Sequence, residues 1–139
     1  MLIDPRTTAT ECCIPLFLIP VSAGFPSPAE DFIESGLDFN AFLIEHPAAT
    51  FCVRVKGDSM INAGIYPGSI LIVDRSLNPR PGSIVLAVLD GEFTVKRLKR
   101  EQGRVWLCPE NPDYPPVEIT AGRDFAVWGV VVHAIRTFA

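Results

Sequence analysis

Ser59 and Lys96 are the residues whose types and setting point most directly to chemistry. Ser59 lies in Val55-Lys56-Gly57-Asp58-Ser59-Met60, just after an apolar run that reads as a strand. Gly57 permits a tight backbone path at the strand exit. A hydroxyl at such an exit is exposed beside free backbone amides, which can hold a developing oxyanion. A serine also needs a base, and a neutral lysine can serve. The candidate is Lys96, in Phe93-Thr94-Val95-Lys96-Arg97-Leu98. Its ordinary pKa of about 10.4 must fall for that role, as burial among apolar groups makes it do.

The plain alternative, which residue type alone favours, is a capping hydroxyl and a solvated charge. Strand alternation leaves the choice open. Phe93 and Val95 share a face with Arg97 and Lys99, while Thr94, Lys96 and Leu98 share the other, so both faces are mixed. Other chemistries find less support. His46 precedes Pro47 at an expected helix end, and His133 lies inside an apolar run; neither adjoins a Ser or Cys motif. A Ser-His-Asp triad is a spatial constellation that this spacing does not suggest. No cluster of His, Asp or Glu has metal-ligand spacing, so neither metal nor cofactor is expected.

The elements that must position Ser59 and Lys96 fall into three stretches. Residues 1–28 hold five of the 13 prolines and read as an extended arm. In the second stretch, Ser27-Pro28-Ala29-Glu30 has capping-box spacing and predicts a short helix that stops at Gly36. Asp38 can cap a second short helix through Phe39, Phe42 and Leu43, with Pro47 ending it. From Thr50 onward, apolar segments recur between turn signals. Strands are predicted at 51–55, 69–73, 83–89, 92–98, 104–107 and 127–135. Asp90-Gly91 between two such runs is a strong hairpin signal.

The chain has 139 residues, enough for one domain with a real core. Its 16 acidic residues outnumber its 12 basic ones, giving a net charge of −4, which disfavours tight direct DNA binding by the whole chain. No apolar run reaches the roughly 20 residues that span a bilayer, so no membrane anchor is expected. Cys12 to Val21 is mostly apolar, and Val21-Ser22-Ala23 ends in small residues, like a secretory leader. The segment before it carries Asp4, Arg6 and Glu11, so the basic start of a leader is missing. Of the four cysteines none forms a C-x-x-C pair. Reduced thiols in a cytoplasmic protein are expected, with Cys52 and Cys108 as small buried apolar residues.

The motifs together resemble those of the LexA/UmuD family of self-cleaving Ser/Lys peptidases, and within it the UmuD-type members of SOS mutagenesis. The resemblance rests on Gly57-Asp58-Ser59-Met60 with Gly64, Pro67-Gly68 and Leu71-Ile72-Val73-Asp74. It extends to Asp90 through Leu98, to Gly24-Phe25-Pro26-Ser27-Pro28-Ala29, and to Val127 through His133. It implies a mainly β, signal-peptidase-like peptidase core, at 50–139, preceded by an extended arm, 1–23, and a linker with short helices, 24–49. Ser59 is implied as nucleophile and Lys96 as general base. The backbone amides of Asp58 and Ser59 are implied as oxyanion hole, and Ala23-Gly24 as the bond that the chain cuts in itself. UmuD itself carries Cys-Gly at the cut; both first residues are small, so Ala-Gly leaves the chemistry intact. A winged DNA-reading domain does not fit in the 23 residues before the cut.

The partners implied are a RecA–single-stranded DNA filament as activator, a second copy of the chain in a homodimer, and a UmuC-type translesion DNA polymerase. Two other classes compete. One is a non-catalytic polymerase accessory module with Ser59 and Lys96 vestigial. The other is a signal-peptidase-like enzyme acting on other proteins, against which the missing anchor weighs. The basic cluster Lys96, Arg97, Lys99, Arg100 and Arg104 reads either as a partner contact or, as surface charge runs more often do, as a solvated hairpin face.

Overall fold

The computed structural model describes residues 13–17 and 33–138. The chain divides into two units, residues 1–45 and 46–139. In the first, β1 (Cys13–Phe17) pairs antiparallel with β2 (Ile33–Asp38). Pro15 stands opposite Gly36. A two-stranded ribbon consists only of edges, so a residue without an N–H is tolerated there. The helix expected to run to Gly36 is therefore corrected: residues 33–36 are strand, because β1 supplies backbone partners that a short helix ending in Gly cannot match. The start of that helix, Ser27–Glu30, lies outside the described residues. The second expected helix is present as α1 (Phe39–Leu43). Its Asp38 cap accepts a hydrogen bond from the Asn40 amide at 3.0 Å. Pro47 does not end it; Ile44 is already extended, and Pro47 opens a separate 3₁₀ turn, Pro47–Ala49.

The second unit is a seven-stranded antiparallel sheet. Its strands are β3 (Thr50–Arg54), β4 (Ile70–Asp74), β5 (Ile84–Leu89), β6 (Glu92–Glu101), β7 (Arg104–Cys108), β8 (Val117–Ile119) and β9 (Phe125–Ile135). Their order in space is β3-β4-β9-β5-β6-β7-β8. The chain is thus mainly β, as the resemblance implies, with every expected strand present to within a few residues. Two tight hairpins organise its middle. Asp90 and Gly91 both take positive φ, 49° and 85°, as a type I′ turn requires, and Leu89 faces Glu92 across it. Gln102 and Gly103 repeat this geometry, φ 51° and 74°, between β6 and β7; sequence reading passed over that pair.

Strand β5 is buried on both sides and divides the core in two. Leu86 joins Met60, Ile65, Leu71 and Val73, with Phe51, Val53, Val95 and Val131 packed around them. Val85 and Ala87 join Leu98 and Leu107, with Val105, Ile119, Phe125 and Val127 around them. Val127 and Val131 have the same parity on β9 yet serve opposite clusters. The reason is a bulge: Leu86 pairs with Gly129 and Ala87 with Val127, so Trp128 is an extra residue and the side-chain alternation reverses there. Cys52 corrects an expectation: it is exposed. Its neighbours Phe51 and Val53 take the inward positions of the edge strand β3, which turns Cys52 outward. Cys108 is partly buried.

Gly129 sits where β9 crosses close to β4. A Cβ there would lie 2.6 Å from the Val73 side chain and 3.1 Å from the Asp74 carbonyl oxygen. Val73 is fully buried and the other neighbour is backbone, so neither gives way freely. Gly129→Ala should cost about 1–3 kcal/mol, the range of an overpacked core, read as a lower urea midpoint at unchanged slope.

Candidate active site

The nucleophile candidate is held by what flanks it. After β3, Val55 stays in register with the start of β4, its amide donating to the Ser69 carbonyl at 2.8 Å. The chain then turns at Gly57, φ 86°, a conformation that favours glycine. Met60 is almost fully buried in the core beside Leu71 and Leu86. Ser59 is therefore tethered to a buried anchor, while its own side chain stays partly accessible.

Lys96 reaches the same point from β6, where it stands opposite the fully buried Val85 of β5. Its Nζ lies 2.9 Å from Ser59 Oγ, 2.9 Å from Thr94 Oγ1 and 3.1 Å from the Val95 carbonyl oxygen. The ambiguity left by alternation is resolved: Lys96 is half-buried and its amine points at the serine. Burial pushes its pKa below the ordinary lysine value. The three neighbours suit a neutral amine. In a neutral amine two N–H groups would serve Thr94 Oγ1 and the Val95 carbonyl, leaving the lone pair for the Ser59 hydroxyl proton. Thr94 is a site residue that sequence reasoning did not single out. Its only signal was the two-residue spacing that puts it on the strand face of Lys96.

Both residues open into a cleft of about 500 Å³ whose walls include Phe51, Val53, Leu86, Phe93 and Trp128. The bulge that makes Trp128 an extra residue places its indole edge-on to Phe93, with ring centroids 5.1 Å apart, and the Arg75 guanidinium lies 4.9 Å from the indole. Apolar walls keep the local dielectric low and so sustain the lysine's lowered pKa. The Asp58 and Ser59 amides donate no backbone hydrogen bond among the described residues.

The other candidates fall elsewhere. Neither histidine lines the cleft. His46 Nδ1 is 2.6 Å from Asp74 Oδ2. Burial raises the Asp74 pKa, but hydrogen bonds from Ser76 and His46 outweigh it and hold the carboxyl below its ordinary range. His133 is on β9, opposite Ile72. Within the basic cluster, Arg97 pairs with Glu110, Lys99 with Glu101 at 3.2 Å, and Arg104 with Glu118 at 3.6 Å. Ala23-Gly24 lies outside the described residues. No three His, Cys, Asp or Glu side chains among the described residues are grouped to hold a metal ion. No helix among them is long and apolar enough to cross a membrane.

The site thus holds a serine hydroxyl and a partly buried amine in hydrogen-bond contact within an apolar cleft. The model of the Peptidase S24-like family matches residues 15–132. The chain belongs to this family. Protein SamA of Salmonella typhimurium is 43% identical over 137 residues, covering 99% of this chain and 97% of SamA. Protein MucA of Escherichia coli is 43% identical over 123 residues, 88% of this chain and 84% of MucA. The LexA repressor of Acidithiobacillus ferrooxidans is 45% identical over 119 residues, 84% of this chain and 58% of the repressor. The resemblance to the LexA/UmuD family is thereby borne out. Membership in the S24-like family implies serine peptidase activity and supports a self-cleaving, SOS-related protein.

Proposed function

We propose that the chain is a UmuD-like self-processing peptidase of the SOS response, which cuts its own Ala23–Gly24 bond with Ser59 as nucleophile and Lys96 as general base. The observation that carries this reading is the 2.9 Å contact between Lys96 Nζ and Ser59 Oγ, both of which line an apolar cleft. Neutral Lys96 takes the Ser59 proton as Oγ attacks the Ala23 carbonyl carbon. The tetrahedral oxyanion is held by the Asp58 and Ser59 amides. The resulting Lys96 ammonium gives its proton to the Gly24 nitrogen, and the C–N bond breaks. Water, deprotonated by the same amine, then releases the 1–23 arm from the Ser59 ester.

On this reading 1–23 is the cleavable arm, 24–49 a linker and 50–139 the peptidase domain. A RecA–single-stranded DNA filament stimulates the cut by favouring the conformer with the arm docked, a shift of population rather than new chemistry. The trimmed chain is a homodimeric, cytoplasmic subunit of a UmuC-type translesion polymerase. Of these, the polymerase partner draws its support from the likeness to proteins SamA and MucA, each 43% identical to this chain.

Intact-mass measurement of the purified chain, with and without RecA, single-stranded DNA and an ATP analogue, tests the reading. The expected product begins at Gly24, forms faster with the filament, and is absent in Ser59→Ala. Product from Ser59→Ala overturns the assignment of the nucleophile. Cleavage of an exported precursor in trans, without self-cleavage, points instead to a signal-peptidase-like enzyme.

A further inference from the structure

The serine is gripped by a segment far from it in sequence. Between β7 and β8, the Glu110 amide donates to the Ser59 carbonyl at 2.8 Å, and Asn111 Nδ2 donates to the Asp58 carbonyl at 3.0 Å. We propose that Asn111 is a positioning residue for self-cleavage, one that aims the Asp58–Ser59 peptide so that its N–H faces the oxyanion. The proposal rests on Ser59 being the nucleophile.

Asn111 is 6% exposed, and both ends of its amide are used. Oδ1 accepts from the Asp113 amide at 3.0 Å, which settles that the donor end is the one facing Asp58. A trans peptide is planar, with its C=O and N–H pointing in opposite directions. Fixing the Asp58 oxygen therefore fixes the direction of the Ser59 N–H. That N–H makes no backbone hydrogen bond among the described residues, so it remains available to an outside acceptor. The peptide on the other side of Ser59 is held by Glu110.

Glu110 carries the clamp on to the lysine. Its carboxylate accepts from Arg97 Nε at 2.5 Å, and Arg97 Nη1 donates to the Gly82 carbonyl at 2.6 Å. Arg97 directly follows Lys96 on β6. Glu110 and Asn111 thus join the segment bearing the serine to the strand bearing the amine. An oxyanion donor held in place before the reaction is worth about 10²–10³ in rate. Letting its peptide tilt forfeits part of that.

The test is the pH–rate profile for self-cleavage of the full chain. Asn111→Asp and Asn111→Ser both keep an acceptor for the Asp113 amide and lose the 3.0 Å bond to Asp58, the aspartate for want of a donor and the serine because its hydroxyl ends about one bond short; the Asp58 carbonyl keeps only the longer Ile61 amide contact at 3.4 Å. Rates are read at a temperature where circular dichroism shows both variants folded. The alkaline plateau should fall about 10–100-fold in both, and the midpoint of the Asn111→Ser profile should stay at the wild-type pH. A purely structural asparagine lowers the melting temperature and leaves the plateau rate of the folded protein unchanged; a wild-type plateau in Asn111→Ser overturns the proposal. Ser59→Ala, run in parallel, separates the two levels. If it still yields the Gly24 product, the nucleophile is misassigned. If it is inert while Asn111→Ser cuts at the wild-type rate, the role of Asn111 alone is wrong.

Discussion

Lys96→Ala should slow self-cleavage by on the order of 10⁴-fold or more, the scale on which removing one member of a catalytic unit acts. The reason is geometric: within the cleft, Lys96 Nζ is the amine in contact with Ser59 Oγ, and the cleft offers no imidazole to replace it. The sign of the pH dependence follows from which form is active. The amine must be neutral to accept the proton, so the rate rises with pH and levels off above the folded-state pKa. Burial lowers that pKa below the ordinary lysine value, so the plateau is reached at a lower pH than an exposed lysine would allow. In Lys96→Ala the alkaline rise should vanish. Lys96→Arg should behave alike, because a guanidinium stays protonated throughout.

Stability moves in the same direction. A lysine whose folded pKa is depressed binds fewer protons folded than unfolded, so stability rises with pH between the two values. Lys96→Met should therefore melt no lower than wild type at neutral pH while losing cleavage. Such a result separates lost chemistry from a lost fold. A Lys96→Ala or Lys96→Met chain that cleaves with the wild-type pH profile would show that the base lies elsewhere.

Leu71→Ala should destabilise the second unit by about 3–5 kcal/mol, the upper part of the range for deleting a fully buried leucine. Leu71 is wholly inaccessible, sits on β4 between Val53 of β3 and Ala134 of β9, and packs with Met60, Ile65 and Leu86. Strands on both sides hold it, so little collapse can refill the space. For a domain of this size the melting temperature should drop by roughly 12 °C or more. Met60, the anchor next to Ser59, shares this cluster, so self-cleavage should fall in step with the loss of packing. A drop of only a degree or two by calorimetry would mean that the cluster relaxes around the deletion.

Much of the sheet is legible because its signals are local. The pair Asp90-Gly91 favours positive φ at adjacent positions, and apolar, β-branched runs flank it, so β5 and β6 can be read directly. Strand β8 has only three residues and depends on β7 for its definition. Residues 33–36 carry a weak helical signal that pairing with β1 overrides. Cys52 is misjudged because the burial of a free cysteine is a tendency of the residue type, whereas its face is set by Phe51 and Val53. Asn111 has no signal at all in one sequence: its partner is Asp58, and no periodicity links them.

What the sequence determines by itself is a set of residue types within short reach: a serine after a glycine at a strand exit, a lysine in a strand that follows a tight turn, a small pair in a proline-rich arm. Those features follow from local sterics and hairpin geometry. The tertiary structure alone decides that Lys96 is half-buried rather than solvated and that its amine meets Ser59. It also decides that Glu110 and Asn111 hold the serine's peptides. Each of these depends on contacts between residues far apart in the chain, and on β9 slotting between β4 and β5 with a bulge that reverses its faces. Burial, and with it the lowered pKa that a lysine base needs, is a property of that packing and not of any segment alone.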